Sequence, residues 1–193
     1  MFKKLLLITF TVILIAANIP VGKAQATYSL DPSWNLVDVY SFQATEGDRV
    51  IVDVANNVGY LVNDSSKIYT TFPVLTGQKR FVYYLGLSYF AATPERNWVV
   101  KEEVIQSDRV TFSKSGRFLR LYTNGKDRTS YGIHGYKYFD TLLATDNHYR
   151  SYGCILVADG VLTVIEKSFA ADSNVMPVTT TSSESALPWM VAL

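Results

Sequence analysis

Apolar and polar positions alternate along much of the chain between Arg49 and Thr179, and this alternation predicts strands. Arg49 to Val54 sets Val50, Val52 and Val54 on one face, as a half-buried strand requires. Asn56-Asn57 interrupts the pattern and Gly59 to Asn63 resumes it, which predicts a hairpin. Ile68 to Thr76 predicts a third strand, ending at Gly77. Phe81 to Phe90 is strongly aromatic and fits either a strand or a short helix. Trp98 to Lys101 and Phe118 to Tyr122 predict further strands, and Asn124-Gly125 is a type I′ turn signal. That turn feeds Ser130 to Gly135, a strand that delivers His134 at its end.

Downstream the pattern changes. Tyr136 to Arg150 is polar and tyrosine-rich, with Asp146-Asn147 as a turn, and predicts a loop or short helix. Cys154 to Val157 predicts a short apolar strand with the thiol at its beginning. Asp159 reads as the N-cap of a helix whose Val161, Leu162, Ile165 and Phe169 form an apolar stripe facing the core. Val175 to Thr179 predicts a closing strand, with Pro177 tolerated near an edge. Residues 27–48 read as an irregular lead-in packed on the domain edge, and residues 180–193 as a flexible Ser/Thr-rich tail.

The N-terminus carries a different signal. Lys3 and Lys4 precede Leu5 to Ala17, an apolar run of thirteen residues, and Ala24-Gln25-Ala26 offers small residues for a signal peptidase. Residues 1–26 are therefore expected to be a cleaved signal peptide, with an uncleaved anchor as the alternative. The run is shorter than the roughly 20 apolar residues of a membrane span. The remaining 167 residues suffice for one domain with a proper core. Removing Lys3, Lys4 and Lys23 from 18 basic and 17 acidic residues leaves a net charge of −2. Such a balance implies no nucleic-acid partner, and no membrane contact is expected once the signal is gone. Thirteen tyrosines and ten phenylalanines suit an exported, β-rich protein.

Export sharpens the meaning of Cys154, the single cysteine. One cysteine cannot form an internal bridge, so the thiol is either buried and inert or reactive by purpose. Ser151-Tyr152-Gly153-Cys154 sets a glycine directly before it, where the backbone can bend and aim N–H groups at a developing oxyanion. His134, twenty residues upstream, can take the thiol proton and hold the thiolate as an ion pair. His148 sits six residues before Cys154 and reads as an exposed loop residue. No close-spaced ligand pair points to zinc, so neither metal nor cofactor is expected.

His134-Gly135, a sixteen-residue spacer from Gly135 to Arg150, then Ser151-x-Gly153-Cys154-Ile155 resembles the signature of the L,D-transpeptidase catalytic domain (YkuD-like). Phe72-Pro73-Val74-Leu75-Thr76-Gly77 is similar to that family's opening, and Thr93-Pro94 to its Thr-Pro loop. The motif here is atypical: Tyr152 stands for the family's histidine, Leu156 for its polar residue, and Glu95-Arg96-Asn97 for a glycine after Thr-Pro. The resemblance covers roughly Arg49 to Thr179 and implies a mainly β, mixed-sheet domain with one or two short helices. It implies an enzyme in which Cys154 is the nucleophile and His134 moves protons, with Gly135, Ser151, Tyr152 and Gly153 supporting the motif and oxyanion. Gly135 C=O or Ser151 would orient the imidazole. The implied partner is a peptidoglycan stem peptide, met by a monomer in the periplasm or cell wall. L,D-carboxypeptidase activity, with water as acceptor, and a non-catalytic wall-associated domain are the competing readings. Arg120, Arg128 and Arg150 are candidates for contacts to stem carboxylates, and Tyr131, Tyr136 and Tyr152 for lining the channel.

Overall fold

The computed structural model describes residues 28–84 and 86–192; the expected signal peptide, residues 1–26, lies outside the described residues. The chain opens with β1 (Tyr28–Leu30), β2 (Asn35–Leu36), β3 (Asp48–Asp53), β4 (Val58–Asn63), β5 (Ile68–Pro73) and β6 (Thr76–Gly77). An aromatic hairpin of β7 (Phe81–Tyr84) and β8 (Leu87–Phe90) follows, then β9 (Arg96–Ile105), β10 (Arg117–Thr123) and β11 (Asp127–His134). The rest comprises α1 (Phe139–Leu143), β12 (Tyr149–Ser151), β13 (Ile155–Leu156), α2 (Asp159–Ala171), β14 (Met176–Thr181) and β15 (Met190–Ala192). Nine strands form one mixed sheet in the order β13-β11-β10-β9-β14-β3-β4-β5-β2. The fold is therefore mainly β with two short helices.

The period-two alternation divides the core between the two faces of that sheet. Val50, Val52 and Val54 of the β3 segment pack with Leu119, Leu121, Ile133 and Ile155 against the α2 stripe of Val161, Leu162, Ile165 and Phe169. Ile51 faces the other way, into a cluster with Val62, Leu187 and Trp189. Asp48, fully buried in β3, accepts from Ser168 Oγ of α2 at 2.7 Å and from Asn63 Nδ2 at 2.8 Å, so the helix is tied to the sheet by satisfied polar groups. An ion pair between Arg117 of β10 and Glu166 of α2 adds a second tie.

Three expectations need correction. Asp159 is the first residue of α2, and the N-cap is Ala158. The Asp159 carboxylate instead accepts from Ser113 Oγ at 2.5 Å, while its charge favours the helix N-terminus. The closing strand β14 lies inside the sheet, antiparallel to β9 and parallel to β3. Pro177 is tolerated there because β3 pairing begins only at Val178, so Pro177 faces a single neighbour, Val99. Residues 182–192 are not a loose tail. β15 pairs with β1, and the buried Trp189 stacks on Tyr69 with ring centroids 4.0 Å apart and meets Trp34 and Tyr60.

Emptying this aromatic site is expected to cost the fold heavily. Trp189→Ala should lower unfolding free energy by about 3–5 kcal/mol in a urea titration. A change within about 0.5 kcal/mol would instead fit a surface residue on a loose tail.

Candidate active site

The sheet face opposite α2, at its β11–β13 end, brings Cys154 and His134 to one side. β11 and β13 run parallel with Ile133 beside Ile155 and His134 beside Leu156. Extending that register by one residue sets Cys154 level with Gly132, two positions before His134 and on the same side of the pleat. The motif loop then fixes the approach. Gly153 has φ +119°, a conformation L side chains rarely adopt, and a Cβ there would lie 2.5 Å from Tyr131 Cε1. Ser151 Oγ accepts from Gly153 N–H at 3.0 Å and donates to Cys154 C=O at 2.6 Å, closing the turn on itself.

Thr93 secures the loop from behind. Its Oγ1 accepts from Gly77 N–H at 2.9 Å and donates to Gly153 C=O at 2.9 Å, joining β6, the Thr-Pro loop and the motif. The loop is held in place where the Glu95 carboxylate accepts from Ser182 N–H at 2.9 Å and Thr180 Oγ1 accepts from Arg96 N–H at 3.0 Å. Tyr152 is half-exposed and stacks on Tyr84 of the aromatic hairpin at 4.9 Å and 12°. Tyr89 Oη, from the same hairpin, donates to Tyr152 C=O at 3.1 Å.

His134 sits deeper than a surface base. It is 4% exposed and lies between Phe112, at 4.8 Å between ring centroids, and Phe118, at 5.6 Å. Its Nδ1 lies 2.7 Å from Gly135 C=O. A carbonyl only accepts, so a proton on Nδ1 satisfies this contact. A Cβ on Gly135 would lie 2.2 Å from Asp159 Oδ1, so glycine lets Asp159 and Ser113 press on the backbone that bears this carbonyl. Burial pushes the imidazole pKa down to about 4, against the opposing pull of the Gly135 and Thr111 carbonyls. The imidazole is neutral at pH 7.

Cys154 is a partly exposed residue whose side chain packs on an apolar cluster of Leu75, Phe139 and Leu156. Burial pushes its pKa up to about 11, with the Gly132 N–H and the Arg120 guanidinium opposing. Its Sγ lies 3.9 Å from Ser130 C=O, a long contact. Among the described residues no hydrogen bond joins Cys154 to His134, and the Phe118 ring fills the hollow over Gly132, where a Cβ would lie 2.3 Å from Phe118 Cζ. The two side chains are thus not hydrogen-bonded to each other here, and burial disfavours the charged form of each.

The other expected residues separate clearly. Gly135, not Ser151, orients the imidazole, since the Ser151 hydroxyl is spent inside the motif loop. The Gly153 N–H is likewise engaged with Ser151 Oγ, which leaves the Cys154 N–H as the motif amide nearest the sulfur. His148 is half-buried in the spacer with Nε2 3.1 Å from Leu143 C=O. Arg128 and Arg120 both pair with Glu102, at 3.2 and 3.4 Å, and Arg120 sits at the bulge of both β10 ladders with its guanidinium 4.8 Å from the Phe118 ring centroid. Sequence patterning missed the Phe112–His134–Phe118 stack and the Thr93 bridge. The Thr-Pro dipeptide after an aromatic run was the available signal for the latter.

Residues 47–168 match the profile of the YkuD family, the L,D-transpeptidase catalytic domain. No curated protein matches the chain. Among solved structures the chain is similar to the L,D-transpeptidase from Xylanimonas cellulosilytica, at 17% identity over 72% of this chain and 63% of that one, with a TM-score of 0.44. It is also similar to the helical cell shape determining protein Pgp2 from Campylobacter jejuni, at 13% identity over 74% and 50% of the two chains, with a TM-score of 0.48. The corresponding values for the L,D-transpeptidase from Stackebrandtia nassauensis are 17%, 72%, 58% and 0.39. The chain therefore spans less than two thirds of the length of each of these proteins.

Proposed function

This chain belongs to the L,D-transpeptidase catalytic domain family, and on that premise we propose that it performs acyl transfer on peptidoglycan stem peptides outside the cytoplasm, with Cys154 as nucleophile. The observation that carries the reading is the sole cysteine at the head of β13, partly open to solvent, on the sheet face that also bears His134.

The reaction runs in two halves. Neutral His134 takes the thiol proton at Nε2 once a side-chain rotation brings the two together, and Sγ attacks the carbonyl carbon of the residue before the terminal D-alanine. The Cys154 N–H steadies the oxyanion. The C–N bond breaks, His134 returns the proton to the leaving amine, and D-alanine departs, leaving a thioester. An amine of a second stem then attacks the thioester, gives its proton to His134 and releases the thiol. Water in place of the amine makes the same site an L,D-carboxypeptidase.

One observation favours a second reading, a non-catalytic wall-binding domain: among the described residues the thiol and the imidazole are not hydrogen-bonded to each other, their contacts being to Ser130 C=O and Gly135 C=O. Labelling with a carbapenem, whose strained ring imitates a donor acyl group, separates the two. The enzyme reading expects a covalent adduct at one equivalent per chain, mapped to the peptide containing Cys154; an unlabelled chain supports the binding domain.

A further inference from the structure

A cationic groove of about 630 Å³ runs beside the motif strand β12. Lys79, Arg80 and Arg150 all line it, and no aspartate or glutamate does. All three are exposed, and among the described residues none forms an ion pair. Two of them are positioned by neutral neighbours. Lys79 Nζ lies 3.9 Å above the centre of the Tyr149 ring, and Arg80 Nε donates to Gln78 Oε1 at 2.7 Å. The charges are thus held along one wall while their electrostatic demand stays unmet.

The groove is continuous with the thiol's surroundings. Tyr136 and Leu142 line it, and both also pack on the Leu75–Phe139–Leu156 cluster that Cys154 touches. Tyr149 and Arg150 belong to β12, which leads into the motif loop within three residues. A chain-like ligand whose reacting carbonyl sits at Cys154 would therefore pass its flanking residues along these cations.

We propose that the groove is a subsite for the free carboxylates of the stem peptide, with Lys79, Arg80 and Arg150 as its specificity-determining residues. The assignment rests on the acyl-transfer reading for the identity of the peptide, and on the groove's own charge for the chemistry it selects. Exposed charge contacts are each weak, and three together discriminate a carboxylate from an amide by about tenfold in Kd, which corresponds to about 1.4 kcal/mol. They are also screened by salt.

The test measures binding by calorimetry, using a synthetic stem tripeptide that lacks the leaving D-alanine and so cannot be turned over. The free acid is compared with the same peptide carrying carboxamides. The expected result is about tenfold tighter binding of the acid. That preference should shrink on raising the salt concentration, with no mutation needed, and should vanish in a Lys79→Gln/Arg80→Gln/Arg150→Gln chain whose circular dichroism is unchanged. Equal affinity for acid and amide, or a salt-independent preference, overturns the subsite. That failure is distinguishable from failure of the enzyme reading, because carbapenem labelling of Cys154 would proceed regardless. Conversely, charge-selective binding by a chain that carbapenems do not label would keep the groove and remove the enzyme.

Discussion

Cys154→Ser is expected to reduce D-alanine release from a stem tetrapeptide by roughly 10³-fold or more while leaving the thermal unfolding curve nearly unchanged. The hydroxyl is close in size to the thiol and sits at a partly exposed position, so little packing is lost. Chemistry suffers instead. A serine hydroxyl is far less acidic than a thiol, and an imidazole whose pKa is depressed to about 4 is a weak base for it. The same two neutral groups predict how the unmodified thiol behaves toward iodoacetamide. With a pKa near 11, Cys154 should be alkylated slowly at pH 7 and faster with each added pH unit. A labelling midpoint near pH 6 would mean that a preformed thiolate pair exists after all.

The second large effect is expected from His134→Gln. Removing the general base should lower acylation by roughly 10²–10⁴-fold, yet leave iodoacetamide labelling unchanged, since no hydrogen bond ties the resting thiol to the imidazole. The pH profile carries the sign. A base with a pKa near 4 stays neutral through pH 5, so acylation by the unmodified chain should persist from pH 7 to pH 5 and fail only as the pH drops through about 4. An acid limb centred near 6.5 would contradict the buried stack of Phe112, His134 and Phe118. Stability should follow the same group. The folded pKa lies below the unfolded value of 6.5, so the unfolded chain binds more protons between the two. The stability that neutral His134 brings is complete above about pH 6.5 and lost progressively as the pH falls toward 4. The loss is at most about 3 kcal/mol. Urea unfolding at pH 7 and pH 4.5 should show it in the unmodified chain, and His134→Gln should flatten it.

Much of this geometry is legible along the chain, for identifiable reasons. Val50, Val52 and Val54 declare their face because the strand period is two, and Asn124-Gly125 declares its turn because both residues adopt positive φ, 53° and 69°. His134 at the end of β11 and Cys154 directly before β13 could be anticipated because each borders an apolar run. Pairing partners are another matter. Nothing local to Val175–Thr179 tells that β14 inserts between β9 and β3, since a short apolar strand has the same pattern in the middle of a sheet as at its edge. Trp189 follows a Ser/Thr-rich run that ends at Ser185, and only Tyr69, Tyr60 and Trp34, far away in sequence, make it a core residue. The motif suggested an ion pair because spacing conveys proximity; it conveys nothing about Phe118, whose ring fills the hollow over Gly132 on the face that thiol and imidazole share.

Tyr152 and Leu156 now have local roles that do not involve the thiol proton. Tyr152 stacks on Tyr84 and so joins the motif loop to the aromatic hairpin, while Leu156 fills the cluster with Leu75 and Phe139.

The claim that Cys154 forms the acyl-enzyme is decided by mixing the chain with a stem tetrapeptide, quenching in acid and measuring intact mass and peptide masses together with released D-alanine. Acyl transfer through Cys154 predicts a mass increase equal to the tripeptidyl group on the peptide spanning Cys154, formed in step with one equivalent of D-alanine. D-alanine released with the acyl group on another residue, or no acylation and no D-alanine at all, would contradict it.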